Sequence, residues 1–235
     1  MIFAAGLGTR LGPLTDDKPK ALVTIKGKPL LEIVIERLIH YGFDQIIVNV
    51  HHFADLVEAF LLSKAHFGIN ITISDERKLL LDTGGGLQHA SWFFDDHKPF
   101  LVHNVDIIST LDLGQLYEYH LASNALASLA SRDRSSSRYL LYDQQLQLCG
   151  WKNVRTGETR MSRPVDNLQP YAFSGIHVID PKIFPLIRQS GVFSIIEVYL
   201  ALAKNHLIQA YPHTEDEWLD VGKPENLSKA EILLG

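Results

Sequence analysis

The sequence predicts an α/β fold, built from parallel strand–helix–strand units with helices on both faces, with a mixed-sheet elaboration in its second half. Three observations predict it. Short apolar runs alternate with segments of helical spacing through the first two thirds of the chain. The run at the very start leads directly into the glycine pair of "AAGLGTR" at Ala4–Arg10. Beyond residue 125 the pattern changes to short strand-like runs with polar turns, which argues for antiparallel pairing.

Taken in order, residues 2–5 read as a buried strand and 30–41 as a helix, with Leu31, Val34, Ile35 and Leu38 on one face. A strand is expected at 46–50 and a helix at 54–66 carrying Leu56, Val57, Phe60 and Leu61. A strand follows at 69–74, a short helix at 86–93 and a strand at 100–103. In the second half, strands are expected at 125–131, 139–142, 147–151 and 173–179. Helices are expected at 181–189, 194–205 and 224–233. No internal repeat, low-complexity tract or linker interrupts the chain, so a single domain over 1–235 is expected. In open α/β sheets ligands sit beyond the carboxyl ends of the strands. The loops "AAGLGTR", "TGGG" at Thr83–Gly86 and "NVDI" at Asn104–Ile107 each follow a strand region, and all three are expected to meet at one sheet edge.

Composition excludes several classes. The 235 residues are 46% hydrophobic, enough for one large core. No run of eighteen apolar residues occurs, so no membrane span is expected. The start lacks the basic-then-apolar pattern of a signal peptide, and Cys149 is the only cysteine. Together these point to a reducing, cytoplasmic setting without a disulfide framework. Lys and Arg total 22 against 27 Asp and Glu, a net charge of -5. That balance advertises neither a nucleic-acid nor an anionic-membrane surface, so any phosphate binding is local.

The glycine loop is neither of the two commonest phosphate loops. A dinucleotide fingerprint needs a third glycine where Leu11 stands, and no Walker spacing begins at Gly6 or Gly8. It is another phosphate loop or a tight turn, with Arg10 either a phosphate donor or a surface arginine pairing with Asp16 or Asp17. Lys18 and Lys20 flank Pro19, which restricts the backbone before it; one lysine can neutralise a phosphate, or the turn is merely solvated. Asp106 and Asp220 each follow a strand-like stretch and together suit one Mg²⁺ whose other ligands are phosphates. The alternatives are a cap on a helix near Leu111 for Asp106 and a cap on the last helix for Asp220. Gly84–Gly86 suit close approach of a flat base or sugar, or a mobile turn before a helix at Leu87. His51, His52 and His66 lack a metal spacing, and Cys149 beside Trp151 reads as inert core.

Five motifs resemble, in order, those of the sugar-1-phosphate nucleotidyltransferases: "AAGLGTRLGPLTDDKPKALVTIKGKPLLE", "DTGGGLQHA", "LVHNVDI", "YAFSGIHVI" and "EWLDVGKPENL", spanning residues 4 to 227. The resemblance implies a Rossmann-like, GT-A-like nucleotidyltransferase fold with a mostly parallel mixed sheet and a small antiparallel elaboration. It implies nucleotide contacts from Ala5, Gly6, Gly8, Thr9 and Arg10 around the triphosphate, and from Gly84 and Gly85 at the base or ribose. Lys20 binds phosphate at the reaction centre, Asp106 and Asp220 hold Mg²⁺, and Asn104, Ser174 and Gly175 form the sugar pocket. Arg163 in "SRP" takes the place of a sugar-phosphate lysine found in "EKP". The catalytic set implied is Arg10, Lys20, Asp106 and Asp220. The substrates implied are an NTP, UTP or GTP, and a sugar 1-phosphate, without nucleic acid or membrane, in a monomer or small homo-oligomer.

Within the family the short chain and "TGGG" look most like the N-acetylmuramate-1-phosphate uridylyltransferases. Mannose- and heptose-1-phosphate guanylyltransferases stay as alternatives, as does a non-catalytic nucleotide-sugar binder. A nicotinamide oxidoreductase rests only on the strand–glycine–helix order. The pattern departs from the family in three places. The first strand starts abruptly before Phe3, and the C-terminal left-handed β-helix of larger relatives is not expected. The usual "NGD" is "NVD", with Val105 in the glycine position; if the strand continues, alternation points Val105 into the core, and if the chain turns at Asn104 its methyl groups face the sugar and tune sugar choice.

Overall fold

The computed structural model describes residues 1–234. Along the chain run β1 (Ile2–Phe3), β2 (Thr24–Ile25), β3 (Lys28–Pro29), α1 (Leu30–His40), β4 (Gln45–Val50), α2 (Ala54–Ser63), β5 (Asn70–Asp75) and α3 (Asp82–His89). Next come β6 (Phe100–Asn104), β7 (Ile107–Ser109), α4 (Leu113–Leu121), β8 (Ala127–Arg132), β9 (Arg138–Tyr142), β10 (Leu148–Asn153) and β11 (Thr159–Met161). The last elements are β12 (Gln169–Ile179), α5 (Ile195–Leu202), β13 (Ile208–Pro212), β14 (Trp218–Asp220) and α6 (Leu227–Leu233). They form two compact units. One holds Met1–Asp82, His103–Thr110 and Glu217 onward; the other holds Thr83–Val102 and Leu111–Asp216. Among the described residues no helix is long and apolar enough to cross a membrane.

The first unit carries the parallel part of the fold. Ile2 pairs in parallel with Val48 and with His103, and β5 pairs in parallel with β4. The interior strands β1 and β4 are almost wholly apolar because helices cover them: Ile46, Ile47, Val48 and Val50 are buried, as are Leu30, Leu31, Val34, Ile35 and Leu38 of α1. Asn49 is the polar exception. It is 3% exposed, and its Oδ1 accepts from the N–H groups of Ala4 and Ala5 at 2.7 and 3.3 Å. Its Nδ2 donates to Oε1 of the buried Glu76 at 2.8 Å. The chain leaving β1 is therefore fixed where the glycine loop begins. A short antiparallel ribbon, β7 with β14, completes the unit.

The second unit is mostly antiparallel. β12 pairs with β8 and β9, and β9, β10 and β11 follow in antiparallel order. β13 joins β8 in parallel. The α/β class with a mostly parallel mixed sheet and an antiparallel elaboration is thus the fold observed.

Local expectations hold with differences. The helix expected at 54–66 ends at Ser63, and a 3₁₀ turn with left-handed His66 and Phe67 follows. Residues 181–189 form a 3₁₀ helix, Pro181–Leu186, because Pro185 removes a donor from its interior. The "TGGG" loop is corrected outright: Gly84–Gly86 lie inside α3. Glycine there is demanded by crowding, since a Cβ on Gly84 would stand 2.5 Å from the Phe193 ring and 2.9 Å from its carbonyl oxygen. The Gly84 and Gly85 N–H groups donate to that same carbonyl. Val105 is buried, although β6 ends at Asn104 and the chain turns at Val105 and Asp106, so strand alternation is not the cause.

Gly84→Ala forces α3 away from Phe193, and the expected cost is about 1–3 kcal/mol of unfolding free energy. Chemical denaturation measures it; an unchanged midpoint would show that the contact yields freely.

Candidate active site

The residues that converge belong to the first unit. β7 and β14 pair antiparallel with Asp220 opposite Ile107, and the Val221 N–H donates to the Asp106 carbonyl at 2.9 Å. This register sets the two aspartates side by side although 114 positions separate them in sequence. Gly222 lies between them. A Cβ there would stand 2.9 Å from Asp220 Oδ1, 3.0 Å from Asp106 Oδ2 and 2.5 Å from Arg10 Nη2. Three charged groups thus surround one small volume that only glycine leaves free. The Gly222 N–H donates to Asp220 Oδ1 at 2.9 Å, and Asn226 Nδ2 donates to the Asp220 carbonyl at 2.8 Å.

Two cations face the carboxylates. Lys20 Nζ donates to Asp106 Oδ2 at 2.6 Å, with both side chains largely buried. Arg10 Nη1 donates to Asp220 Oδ2 at 3.4 Å, and its Nη2 lies 3.9 Å from Asp106 Oδ2. Arg10 is half-exposed and does not pair with Asp16 or Asp17. Two carboxylates this close repel unless cations offset them, and the two cations do so.

The glycine loop carries Arg10 over Lys20. Thr9–Thr15 coils as 3₁₀ turns, and Thr15 Oγ1 donates to the carbonyls of Gly8 and Gly12. Gly8 adopts φ +70°, and a Cβ there would meet Thr15 Cγ2 at 2.9 Å. Gly8 is therefore fixed by backbone conformation and by space together. At Gly6 the nearest atom to a Cβ would be Lys20 Nζ, at 3.7 Å. Ala5 begins the loop and is held by Asn49. Pro19, in an extended conformation, starts the turn that presents Lys20. Thr9 is exposed beside Arg10.

Asn104 ends β6 in the same unit, and its carbonyl accepts from His103 Nδ1 at 2.8 Å. A carbonyl only accepts, so Nδ1 carries the proton and Nε2 faces Arg37 Nη1 at 3.4 Å. Burial, then the neighbouring Arg37 charge, lowers the His103 pKa from 6.5 to about 3.

The remaining sequence candidates lie in the second unit. Ser174 is buried, and its hydroxyl is 2.6 Å from His213 Nε2. His213 Nδ1 is 3.5 Å from Asp216 Oδ2. Gly175 follows with φ +77°. Arg163 Nη1 donates to Gln147 Oε1 at 2.6 Å and lies 3.4 Å from Asp143 Oδ2. Asn49, Glu76, Gly222 and His213 escape a sequence reading. Asn49 alone leaves a signal, as the one polar residue inside the apolar run "IIVNV".

The donor set of the Asp106–Asp220 pair suits a hard divalent cation. Both ligands are carboxylates on one small volume, and Mg²⁺ characteristically takes one or two carboxylates, leaving its other positions to phosphate and water. Among the described residues no group of three or more His, Cys, Asp or Glu side chains forms a complete metal cage.

An α/β unit with a cation-bearing glycine loop over paired strand-end carboxylates defines an enzyme that handles nucleotide phosphates. The chain belongs to the nucleotidyl transferase family, whose sequence pattern matches residues 1–234. It is 34% identical to the N-acetylmuramate alpha-1-phosphate uridylyltransferase of Caulobacter vibrioides, over 100% of this chain and 96% of that one. It is 29% identical to the N-acetylmuramate alpha-1-phosphate uridylyltransferase of Neisseria meningitidis, over 100% of this chain and 97% of that one. Among solved structures, HddC from Yersinia pseudotuberculosis superposes with a TM-score of 0.79 at 24% identity, covering 100% of this chain and 98% of that one. That last likeness is one of fold.

Two outcomes follow from this geometry. Gly222→Ala intrudes on Arg10 and both carboxylates without touching the core, so kcat/KM should fall at least about tenfold with the melting temperature nearly unchanged; wild-type kinetics would show that the three groups do not converge. His103 should stay neutral from pH 8 to pH 5 by ¹⁵N NMR. The unfolded imidazole binds its proton near 6.5, so the stability tied to neutral His103 is complete above that pH and is lost as pH falls toward 3. An imidazole titration between pH 5 and 8 would contradict the assignment.

Proposed function

We propose that the protein transfers a uridylyl group from UTP to a sugar 1-phosphate, N-acetylmuramate 1-phosphate, releasing pyrophosphate and forming the UDP-sugar. The observation that carries the chemistry is the convergence of Asp106, Asp220 and Arg10 on the space above Gly222, with Lys20 on Asp106. The choice of base and sugar is supported by the two similar uridylyltransferases, which match this chain end to end.

In this reading an oxygen of the sugar phosphate attacks the α-phosphorus in line. The new P–O bond forms as the bond to the bridging oxygen of pyrophosphate breaks. The second phosphate pKa is about 6, so the nucleophile is already anionic and needs no strong base. Catalysis is alignment and charge neutralisation. Ala5, Gly6, Gly8 and Thr9 cradle the triphosphate, and Arg10 and Lys20 offset charge gathering on the leaving pyrophosphate. Asp106 and Asp220 hold Mg²⁺, which when bound supplies charge neutralisation among the phosphates. Lys20 sits on Asp106, where its ammonium can exchange the carboxylate for a phosphate oxygen. The resemblance assigns Gly84 and Gly85 to the nucleotide, and Asn104, Arg163, Ser174 and Gly175 to the sugar.

Pyrophosphate release across a matrix of UTP and GTP against muramyl, glucosyl, mannosyl and heptosyl phosphates tests the substrates. UTP with the muramyl substrate should give the highest kcat/KM; a higher value with GTP and mannose 1-phosphate would replace this reading. Asp106→Asn and Asp220→Asn should each lower kcat about 100-fold or more, with intact circular dichroism. Lys20→Ala should lower kcat more than KM changes, because the charge it meets develops in the transition state. Unchanged turnover in any of these variants removes that residue from the mechanism.

A further inference from the structure

Asn49 stands opposite Phe3 in the parallel ladder of β1 and β4, and Glu76 follows directly on β5. Both belong to the first unit, and both are buried. A backbone N–H donor stands at each end of the pair. Asn49 Oδ1 accepts from Ala4 and Ala5 at one end, and Glu76 Oε2 accepts from Leu81 at 3.1 Å at the other. An N–H only donates, so the two side chains must present an acceptor at both ends. An amide has one oxygen, whereas a carboxylate accepts with two. Glu76 therefore takes the Leu81 N–H on one oxygen and Asn49 Nδ2 on the other. That leaves the Asn49 amide one orientation, with Oδ1 toward Ala4 and Ala5. Glu76 is itself clamped by backbone. Its N–H donates to the Val50 carbonyl at 2.8 Å, and its carbonyl accepts from His51 Nδ1 at 2.7 Å.

Beyond Ala5, residues 6–10 are exposed or half-buried, and the next buried side chain is Leu11. Asn49 thus holds the last fixed backbone before the glycine loop. Stability alone does not call for a buried Asn–Glu pair, because an apolar pair of the same shape can serve as well. An apolar pair cannot accept the Ala4 and Ala5 N–H groups. We infer that Asn49 and Glu76 are positioning residues for the nucleotide: Glu76 orients the Asn49 amide, and Asn49 fixes the backbone from which the glycine loop departs. The inference rests on the proposed function, in which that loop cradles the triphosphate.

An isosteric exchange tests it. Asn49→Asp sets two carboxylates against each other, and Glu76→Gln leaves one N–H donor facing an amide nitrogen. The two substitutions together restore the pattern, because the new amide donates to the new carboxylate and both ends still present acceptors. Hydrogen exchange of the Ala4 and Ala5 amides, followed by NMR, reads the anchor without substrate. Each single variant should speed that exchange at least about tenfold. Each should lower kcat/KM for UTP about tenfold, measured below its melting transition, with the KM for UTP rising more than that for the sugar phosphate. The double variant should recover both quantities. Faster exchange with wild-type kinetics would make the pair structural and overturn the inference. So would single variants with unchanged exchange, or a double variant no better than the singles. If one single variant does not fold, the double is compared with the other. A wild type that turns over neither UTP nor GTP with any sugar phosphate overturns the proposed function, and with it the nucleotide role, while the exchange rates still decide whether Asn49 and Glu76 anchor the loop.

Discussion

Holding two carboxylates together is the constraint on which the first unit depends. Asp106 and Asp220 repel at close range, and nothing local brings them there. The pairing of β7 with β14 does, locked by the Val221 N–H on the Asp106 carbonyl. The repulsion is then answered by Lys20 and Arg10 from a different part of the chain. Each partner explains a further feature. Arg10 must pass over the carboxylates, so Gly222 has no side chain. Lys20 must reach them from below the loop, so Gly8 has none either.

The same cluster explains why buried polar residues are tolerated beneath it. Asn49 and Glu76 sit in a region that is otherwise apolar. Their hydrogen bonds form one chain, from the Ala4 and Ala5 N–H groups through Asn49 to Glu76, whose Oε2 accepts from the Leu81 N–H. A buried polar group is costly unless satisfied, and here the two ends of the chain fix backbone at the start of the glycine loop and after β5. The result is a rigid platform under a loop whose own residues are exposed. That arrangement suits chemistry in which alignment carries most of the rate.

The second unit uses its polar residues differently. Ser174 and His213 are tied to each other, Arg163 to the Gln147 and Asp143 side chains, and Arg132 to the Thr214 carbonyl, within a mostly antiparallel sheet. Ser174 and His213 are buried as a pair, so the hydroxyl has a fixed neighbour. The cation of Arg163 is shared between an amide and a carboxylate. Arg132 Nε and Nη1 are buried without a hydrogen-bond partner among the described residues.

The sequence by itself determined the α/β class, because apolar periodicity and strand–helix alternation are local and strong in residues 1–110. It pointed to Arg10, Lys20, Asp106 and Asp220 through motifs that resemble those of a known family, and the structure brings these four together. The burial of Val105 was not settled by alternation, because β6 ends at Asn104 and Val105 stands in the turn that follows. Only the tertiary structure decided what those residues touch. β14 is legible only as a short strand-like stretch ending at Asp220, and its register, which joins the two aspartates, is not legible at all. Gly84–Gly86 look like a loop because glycine is a poor helix former. Packing against Phe193 overrides that local preference, since a side chain at Gly84 would collide with a ring more than a hundred positions away. Gly222, His213 and Arg132 were silent for the same physical reason: crowding, hydrogen-bond partnership and an unanswered buried charge are properties of neighbours in space, and those neighbours are distant in the chain.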